Sequence, residues 1–119
     1  MKLTALTLLF SIFLVAPSVV EWQNGMEHDF DYIPQGKAVY HEFEFKNTSE
    51  EAFVIDVVRT TCGCTVPEYA ETPVAPDSIG VIRVKYDGLR KGYFKKKVKV
   101  FFSNQLRSEV LTIEGFVED

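Results

Sequence analysis

The stretch KAVYHEFEFKN at residues 37–47 alternates apolar and polar side chains more regularly than the rest of the chain. Successive side chains of a β-strand point to opposite faces, so every second residue lies on the same face. In this stretch one face is largely apolar, and the other is mostly charged. The pattern predicts a strand that lays one face on a hydrophobic interior, with Val39, His41, Phe43 and Phe45 pointing inward.

Similar alternation follows at residues 52–59, 79–86, 93–102 and 110–117. A short strand is expected at residues 20–23, and residues 27–33 alternate Phe30 with polar neighbours before a turn at Pro34-Gln35-Gly36. In the first of these, Phe53, Ile55 and Val57 are expected to point inward. Short strands separated by turns are typical of an immunoglobulin-like antiparallel β-sandwich, here with about seven strands. A small closed barrel is the alternative. The last three strands are expected to form a hairpin meander, and the proline-rich residues 67–78 are expected to form a loop.

The first 18 residues have the parts of a signal peptide. Lys2 supplies the positive end, residues 3–15 form an apolar run, and Ala16 and Ser18 are small residues spaced like a signal-peptidase site. Cleavage after Ser18 would release an exported domain at residues 19–119, located in the periplasm or outside the cell. An uncleaved membrane anchor is the alternative, but the apolar run is shorter than the roughly 20 residues that a membrane-spanning helix needs.

The expected domain is mildly acidic. The whole chain has 13 Lys and Arg residues against 17 Asp and Glu residues, and loss of Lys2 with the leader takes the formal net charge from −4 to −5. A nucleic-acid-binding domain needs a strong basic excess, so a nucleic-acid partner is not expected. Another envelope protein or a polysaccharide is the expected kind of partner, and the sequence leaves the oligomeric state open.

Several short motifs follow one another at characteristic spacing. They are His28-Asp29-Phe30, Gln35-Gly36, Phe43-Glu44-Phe45-Lys46-Asn47, Cys62-Gly63-Cys64-Thr65, Gly92-Tyr93-Phe94-Lys95-Lys96, Ser103-Asn104 and Leu111-Thr112-Ile113-Glu114-Gly115. Together they resemble the bacterial "domain of unknown function 1573" family over nearly the whole expected domain. The resemblance implies an exported immunoglobulin-like β-sandwich, with no established reaction and no established ligand.

The two cysteines, Cys62 and Cys64, lie one residue apart between a predicted strand and the proline-rich loop. In an extended chain their Cα atoms would be roughly 6.6 Å apart, near the upper limit for a disulfide, and Gly63 would let the backbone pucker. A structural role, as a disulfide or as two packed thiols, is favoured. Thiol–disulfide exchange, binding of a soft metal such as Cu(I), and a zinc site completed by His28 and His41 remain open.

Basic residues gather on the predicted strand at residues 93–102, where Lys95, Lys97 and Lys99 share the face opposite the apolar side chains. Such a stripe is typical of a solvated sheet face, and it also discourages edge-to-edge aggregation. The alternative is a patch for an anionic partner, such as an envelope polysaccharide or lipid headgroups. Lys96 falls on the apolar side and is expected near a strand end or a bulge.

The sequence contains no motif that indicates catalysis. Neither histidine lies in a recognisable serine–histidine–aspartate pattern, and there is no glycine-rich phosphate loop. His41 is expected to be buried and hydrogen-bonded. These observations predict a non-enzymatic binding or scaffolding module of the bacterial cell envelope that uses no cofactor. The alternative is a small thiol-redox or copper-handling protein that uses Cys62 and Cys64.

Overall fold

A computed structural model describes residues 18–119 of the chain. The signal peptide predicted for residues 1–18 lies outside the described residues, apart from Ser18. Residues 18–119 contain no helix long and apolar enough to cross a membrane. Their strands are β1 (Val20–Trp22), β2 (Glu27–Pro34), β3 (Val39–Asn47), β4 (Ile55–Thr60), β5 (Thr65–Tyr69), β6 (Ile79–Tyr86), β7 (Gly92–Phe102) and β8 (Glu109–Glu118).

The strands form two four-stranded sheets that pack face to face. Sheet 1 has the order β1-β3-β6-β5, and sheet 2 has the order β2-β8-β7-β4. All neighbouring strands are antiparallel except β2 and β8, which run parallel at one edge of sheet 2. Two separate sheets with free edges form a sandwich and not a closed barrel, so the predicted immunoglobulin-like fold is confirmed.

The hydrophobic core lies between the two sheets, and the inward-facing residues of each strand supply it. Phe45 of β3 and Phe102 of β7 meet across the sandwich with ring centres 5.1 Å apart. Removal of such apolar surface from water is the main favourable term in folding. The buried core residues are Val20, Ile33, Phe43, Phe45, Phe53, Ile55, Ile82, Val84, Tyr86, Phe94, Val98, Val100, Phe102, Leu111, Ile113 and Val117.

Strand β4 departs from simple alternation. Ile55 pairs with Phe102 and Val57 pairs with Phe101, so the register shifts by one residue between Ile55 and Val57. A β-bulge of this kind moves the following side chains to the opposite face. As a result Val58 packs against the core. The prediction that Val57 points inward is therefore wrong.

Strand β5 occupies the start of the segment predicted to be a loop. Residues 65–69 pair with β6 alone, so β5 is an edge strand of sheet 1. An edge strand tolerates Pro67 because the missing N–H can face away from the ladder. The loop prediction is wrong for residues 67–69, and the sandwich has eight strands because β5 is one of them.

The last three strands do not form a meander. Strand β6 belongs to sheet 1 whereas β7 and β8 form a hairpin in sheet 2, so residues 87–91 carry the chain from one sheet to the other. In this crossing Gly88 has a φ of 68°, and a Cβ there would lie 2.7 Å from the carbonyl oxygen of Lys37. The backbone N–H of Gly36 donates to the carbonyl of Gly88 at 2.9 Å. This contact between two loops, which the strand pattern does not reveal, holds the crossing in place.

Candidate binding face and disulfide end

The three lysines that the alternation places on one face of their strand lie together on the outer face of sheet 2. Lys95, Lys97 and Lys99 are exposed residues of β7. The buried side chains of Phe94, Val98 and Val100 on the same strand fix this orientation, because a one-residue slip would turn the lysines into the core. Lys96 points to the inner side and is half-buried. It lies at the end of the sandwich near the two cysteines.

Arg59 of β4 extends this basic surface. It pairs with Lys99 across the β4–β7 ladder, and its guanidinium carbon lies 5.6 Å from the centre of the Phe101 ring. Like charges directly opposite one another are unfavourable in a sheet. Among residues 18–119 no carboxylate lies within ion-pair distance of Arg59 or of the three lysines. The side chains line an open groove of about 670 Å³. Arg59 is on a different strand from the lysines. The pairing of β4 with β7 places it beside them, and the sequence alone does not reveal this pairing.

A row of aromatic side chains crosses the same face at one end. Tyr32 of β2 pairs with Phe116 of β8, which in turn pairs with Tyr93 of β7. These side chains are 71%, 42% and 64% exposed, respectively, which is high for large apolar groups. The outward orientation of two of them could be predicted from the alternation. Tyr93 is two residues from Lys95, and Phe116 is two residues from Glu114, so each lies on the same face as that charged residue.

Glu114 connects the aromatic row to an acidic residue on the same face, because it contacts Tyr93 and is the cross-strand neighbour of Asp29. The Tyr93 hydroxyl donates a hydrogen bond of 2.7 Å to the carboxylate of Glu114. This hydrogen bond raises the pKa of the Tyr93 phenol, with smaller contributions from desolvation and from the charges of Glu114 and Asp29. A tyrosine phenol is a donor at neutral pH in any case, so the raised pKa extends this hydrogen bond to more alkaline pH.

Cys62 and Cys64 form a disulfide in the turn between β4 and β5. Their Cα atoms are 5.1 Å apart, within the range that a disulfide accepts. The turn carries the chain from an edge of sheet 2 to an edge of sheet 1. The Thr60 hydroxyl bonds to the carbonyl oxygens of Cys62 and Thr65, at 3.2 and 3.1 Å. The disulfide therefore links two residues of the turn that connects sheet 2 to sheet 1.

Gly63 is not required by the geometry of this turn. It does not have a positive φ, and a Cβ placed on it would have no atom within 4 Å. The disulfide therefore forms here without the special backbone freedom that the sequence argument assigned to Gly63.

The disulfide end has a small cavity but no grouping of metal ligands. The cavity, of about 210 Å³, is lined by both cysteines together with Tyr86, Asp87, Leu89, Arg90 and Lys96. Metal binding would need the reduced thiolates, and thiol–disulfide exchange would need a partner's thiolate to attack this bond. Within residues 18–119 no three Cys, His, Asp or Glu side chains come together in a way that could hold a metal ion.

His41 lies on the inner side of β3, but without the predicted hydrogen bond. Its Nε2 atom is buried and has no hydrogen-bond partner. Burial lowers the pKa of His41, His28 lowers it further, and Glu42 opposes the shift. The prediction of a hydrogen-bonded core histidine is wrong in this respect, because the ring packs against His28 and Phe43.

The fold and these surfaces define the chain as an immunoglobulin-like β-sandwich domain. A family model described as "Protein of unknown function (DUF1573)" matches residues 20–117. The chain therefore belongs to the DUF1573 family, as the motifs in the sequence suggested. No curated protein matches the sequence.

Several solved structures share the fold. A protein of unknown function from Porphyromonas gingivalis W83 superposes with a TM-score of 0.69 at 13% identity, over 82% of this chain and 46% of the other. The Vibrio cholerae VesB protease gives 0.66 at 11% identity, over 85% and 32%. An ASH/PapD-like domain of human CEP192 gives 0.61 at 12% identity, over 85% and 86%. The chain spans less than half of the first two proteins, and identities this low establish the fold alone.

Proposed function

We propose that this protein is a non-enzymatic binding or scaffolding module of the bacterial cell envelope, and that it binds an anionic partner through the basic groove on sheet 2. The observation that carries the proposal is the set of four cations on one side of one face: Arg59, Lys95, Lys97 and Lys99. None of them forms an ion pair with a carboxylate within residues 18–119, although Glu114 is the cross-strand neighbour of Lys95. The charge of Lys97, Lys99 and Arg59 is therefore available to a partner that supplies negative groups.

An extended anionic polysaccharide fits this groove. Alternate residues of a strand are about 6.6 Å apart, so the three lysines present a repeating charge over roughly 13 Å. A chain of charged sugars offers negative groups at regular intervals, whereas a single small anion could contact only part of the stripe. Phe101 and Tyr93, at either end of the lysines on the outer face of β7, add apolar surface for sugar rings.

A binding assay with dextran sulfate as the anionic polymer, and unmodified dextran as the neutral one, tests the proposal. We expect the wild-type protein to bind dextran sulfate at low ionic strength, more weakly as salt is added, and not to bind dextran. Lys95→Glu with Lys97→Glu should weaken binding about tenfold or more.

A matched control places the same charge change on the opposite sheet. Lys46→Glu with Lys85→Glu alters the outer face of sheet 1 by the same net charge. This control should bind dextran sulfate nearly as well as the wild type. Equal losses in both double variants, or unchanged binding by Lys95→Glu with Lys97→Glu, would refute the groove as the site.

Export is the second part of the proposal, and it is supported by the leader-like residues 1–18. When the full-length gene product is expressed in a bacterial host, we expect it in the periplasmic or extracellular fraction. Intact-mass measurement should give an N-terminus at or close to Val19. Recovery of the chain beginning at Met1 in the cytoplasmic fraction would contradict export.

A further inference from the structure

The outer face of sheet 2 is divided by charge along the line between β8 and β7. In one row across the strands, Asp29 lies beside Glu114, and Glu114 lies beside Lys95. Acidic residues thus occupy β2 and β8, while basic residues occupy β7 and β4. We call the first group the acidic half (Glu27, Asp29, Glu114) and the second the basic half (Lys95, Lys97, Lys99, Arg59).

The aromatic row crosses both halves at one end of the face. Tyr32 lies on the acidic side, Tyr93 on the basic side, and Phe116 between them. The rings of Tyr32 and Phe116 are 5.8 Å apart, close enough to form one continuous apolar strip. Exposed aromatic groups in a contiguous strip are typical of interaction surfaces.

We infer that this face binds a second copy of the same face, as a two-fold symmetric dimer. The two-fold axis lies in the interface, parallel to the strands and along the line between β8 and β7. Rotation about it places β8 of each copy over β7 of the other. Each row of cross-strand neighbours then faces the same row of the second copy, and the aromatic rows meet. Lys97 and Lys99 lie over the second copy's Thr112 and Val110. An interface of this isologous kind must be self-complementary, and this face meets that condition in the row of Glu114 and Lys95 and in the aromatic row.

Specific pairs follow from the symmetry. Glu114 and Lys95 are cross-strand neighbours on either side of the axis, so Glu114 of each copy lies over Lys95 of the other. By the same rule Phe116 lies over the second copy's Tyr93. An axis perpendicular to the strands would place each strand over its own copy, so acidic residues would face acidic residues and lysines would face lysines. The charge pattern therefore favours the axis parallel to the strands.

The size of the face predicts a reversible dimer. Four strands are about 19 Å wide and the face is about 30 Å long, so each copy would bury roughly 600 Å². Stable interfaces typically bury about 800 Å² per partner, so a dissociation constant in the micromolar range is expected. Because charge pairs contribute, the dimer should weaken as salt is added.

The inference rests on the proposed function, because it takes the same face as a binding surface and names a partner for it. The second copy's carboxylates occupy the place that a polyanion would take on the basic half. Dextran sulfate should therefore compete with dimer formation.

Sedimentation of charge-reversed variants tests the dimer. Wild-type protein should shift from monomer to dimer as its concentration rises through the micromolar range. Lys95→Glu alone and Glu114→Lys alone each set like charges against one another, and each should weaken the dimer about tenfold or more. An equimolar mixture of the two variants should restore it, because each copy then meets the opposite charge. The mixture also shows that both variants are folded, and thermal unfolding of each gives a second check.

The outcomes separate this inference from the proposed function. Wild-type protein that stays monomeric at several hundred micromolar, or a dimer that neither variant weakens and the mixture does not restore, overturns the dimer. Dextran sulfate binding by such a monomer would leave the proposed function standing. Conversely, a dimer restored by mixing, together with no binding of dextran sulfate to the monomeric Glu114→Lys variant, would keep the dimer and refute the anion-binding role.

Discussion

The imidazole rings of His28 and His41 lie stacked between the two sheets, with their centres 3.7 Å apart and their planes 9° from parallel. His28 belongs to β2 in sheet 2, and His41 to β3 in sheet 1. The two rings therefore form part of the contact between the layers. Protonation of His41 would place a charge against the His28 ring, where the Nε2 atom of His41 is already buried without a partner.

This stack predicts an acid-dependent loss of stability. The pKa of His41 is lowered in the folded state, so the unfolded chain takes up this proton first as the pH falls. The associated stability is present above the unfolded pKa of about 6.5 and is lost below it, by at most about 1.4 kcal/mol per pH unit for one group. Urea unfolding at pH 7.5 and pH 5.5 measures the loss.

The variant His41→Phe provides the comparison for the histidine pair. It keeps an aromatic ring beside His28 but removes the titrating group. We expect its free energy of unfolding to fall less between the two pH values than that of the wild type. The same fall in both proteins would show that other groups cause the pH dependence.

The disulfide should stabilise the domain modestly. Chain entropy for a loop this short accounts for about 1.5 kcal/mol, or roughly 6–12 °C in Tm for a domain of this size. Cys62→Ser with Cys64→Ser should lower Tm by that amount or less and leave a folded protein. The reduced wild type should behave like the double variant. A loss of the whole fold would mean that the turn between β4 and β5 depends on the bond far more than loop entropy explains.

Gly80 is a position where a single methyl group should cost stability. It pairs with Phe45, and a Cβ on Gly80 would lie 2.7 Å from two atoms of the Phe45 ring and closer still to a third. The ring is fully buried, so relief of the overlap would require it to shift within the core. Gly80→Ala should lower the free energy of unfolding by about 1–3 kcal/mol.

Gly63→Ala is the matched control, since its Cβ meets no atom within 4 Å and its φ is not positive. That variant should be neutral or up to about 1 kcal/mol more stable. Chemical denaturation of both variants measures the difference. Equal effects would mean that the Phe45 ring can move aside.

Asn47 should be among the most sensitive polar positions. Its side chain is fully buried, donates to the carbonyls of Glu51 and Val74 at 2.8 and 2.9 Å, and accepts the Ser49 N–H at 2.9 Å. Asn47→Ala leaves the Ser49 N–H without its acceptor, while the Glu51 and Val74 carbonyls keep one donor each, from Ser49 Oγ and the Phe53 N–H. The substitution should cost about 1–3 kcal/mol.

A surface asparagine serves as the comparison for Asn47. Asn104 makes a single long hydrogen bond of 3.4 Å to Ser49, and it is exposed. Asn104→Ala should therefore change the free energy of unfolding by no more than about 0.5 kcal/mol. If Asn47→Ala were equally mild, the loop at residues 48–53 would have to be held by other contacts.

The sequence by itself determined the sandwich class and the inward face of most strands, because burial of one face imposes a two-residue period that can be read from residues such as Phe43 and Val98. The same period placed Lys95, Lys97 and Lys99 on one face, because the relative orientation of residues on a single strand does not depend on which strands lie beside it. It failed at Val57 and at Pro67, where a bulge and an edge position override the simple rule.

Only the tertiary structure decided which strands are neighbours. Arg59 joins the lysines, His28 meets His41, and Tyr32 lines up with Tyr93 through pairings between residues that are distant in the chain. Alternation states which way a side chain points but not which strand lies beside it. The position of each strand depends on the loops that cross between sheets, and the crossing at Gly88 is held by a hydrogen bond from the Gly36 N–H that local sequence does not encode.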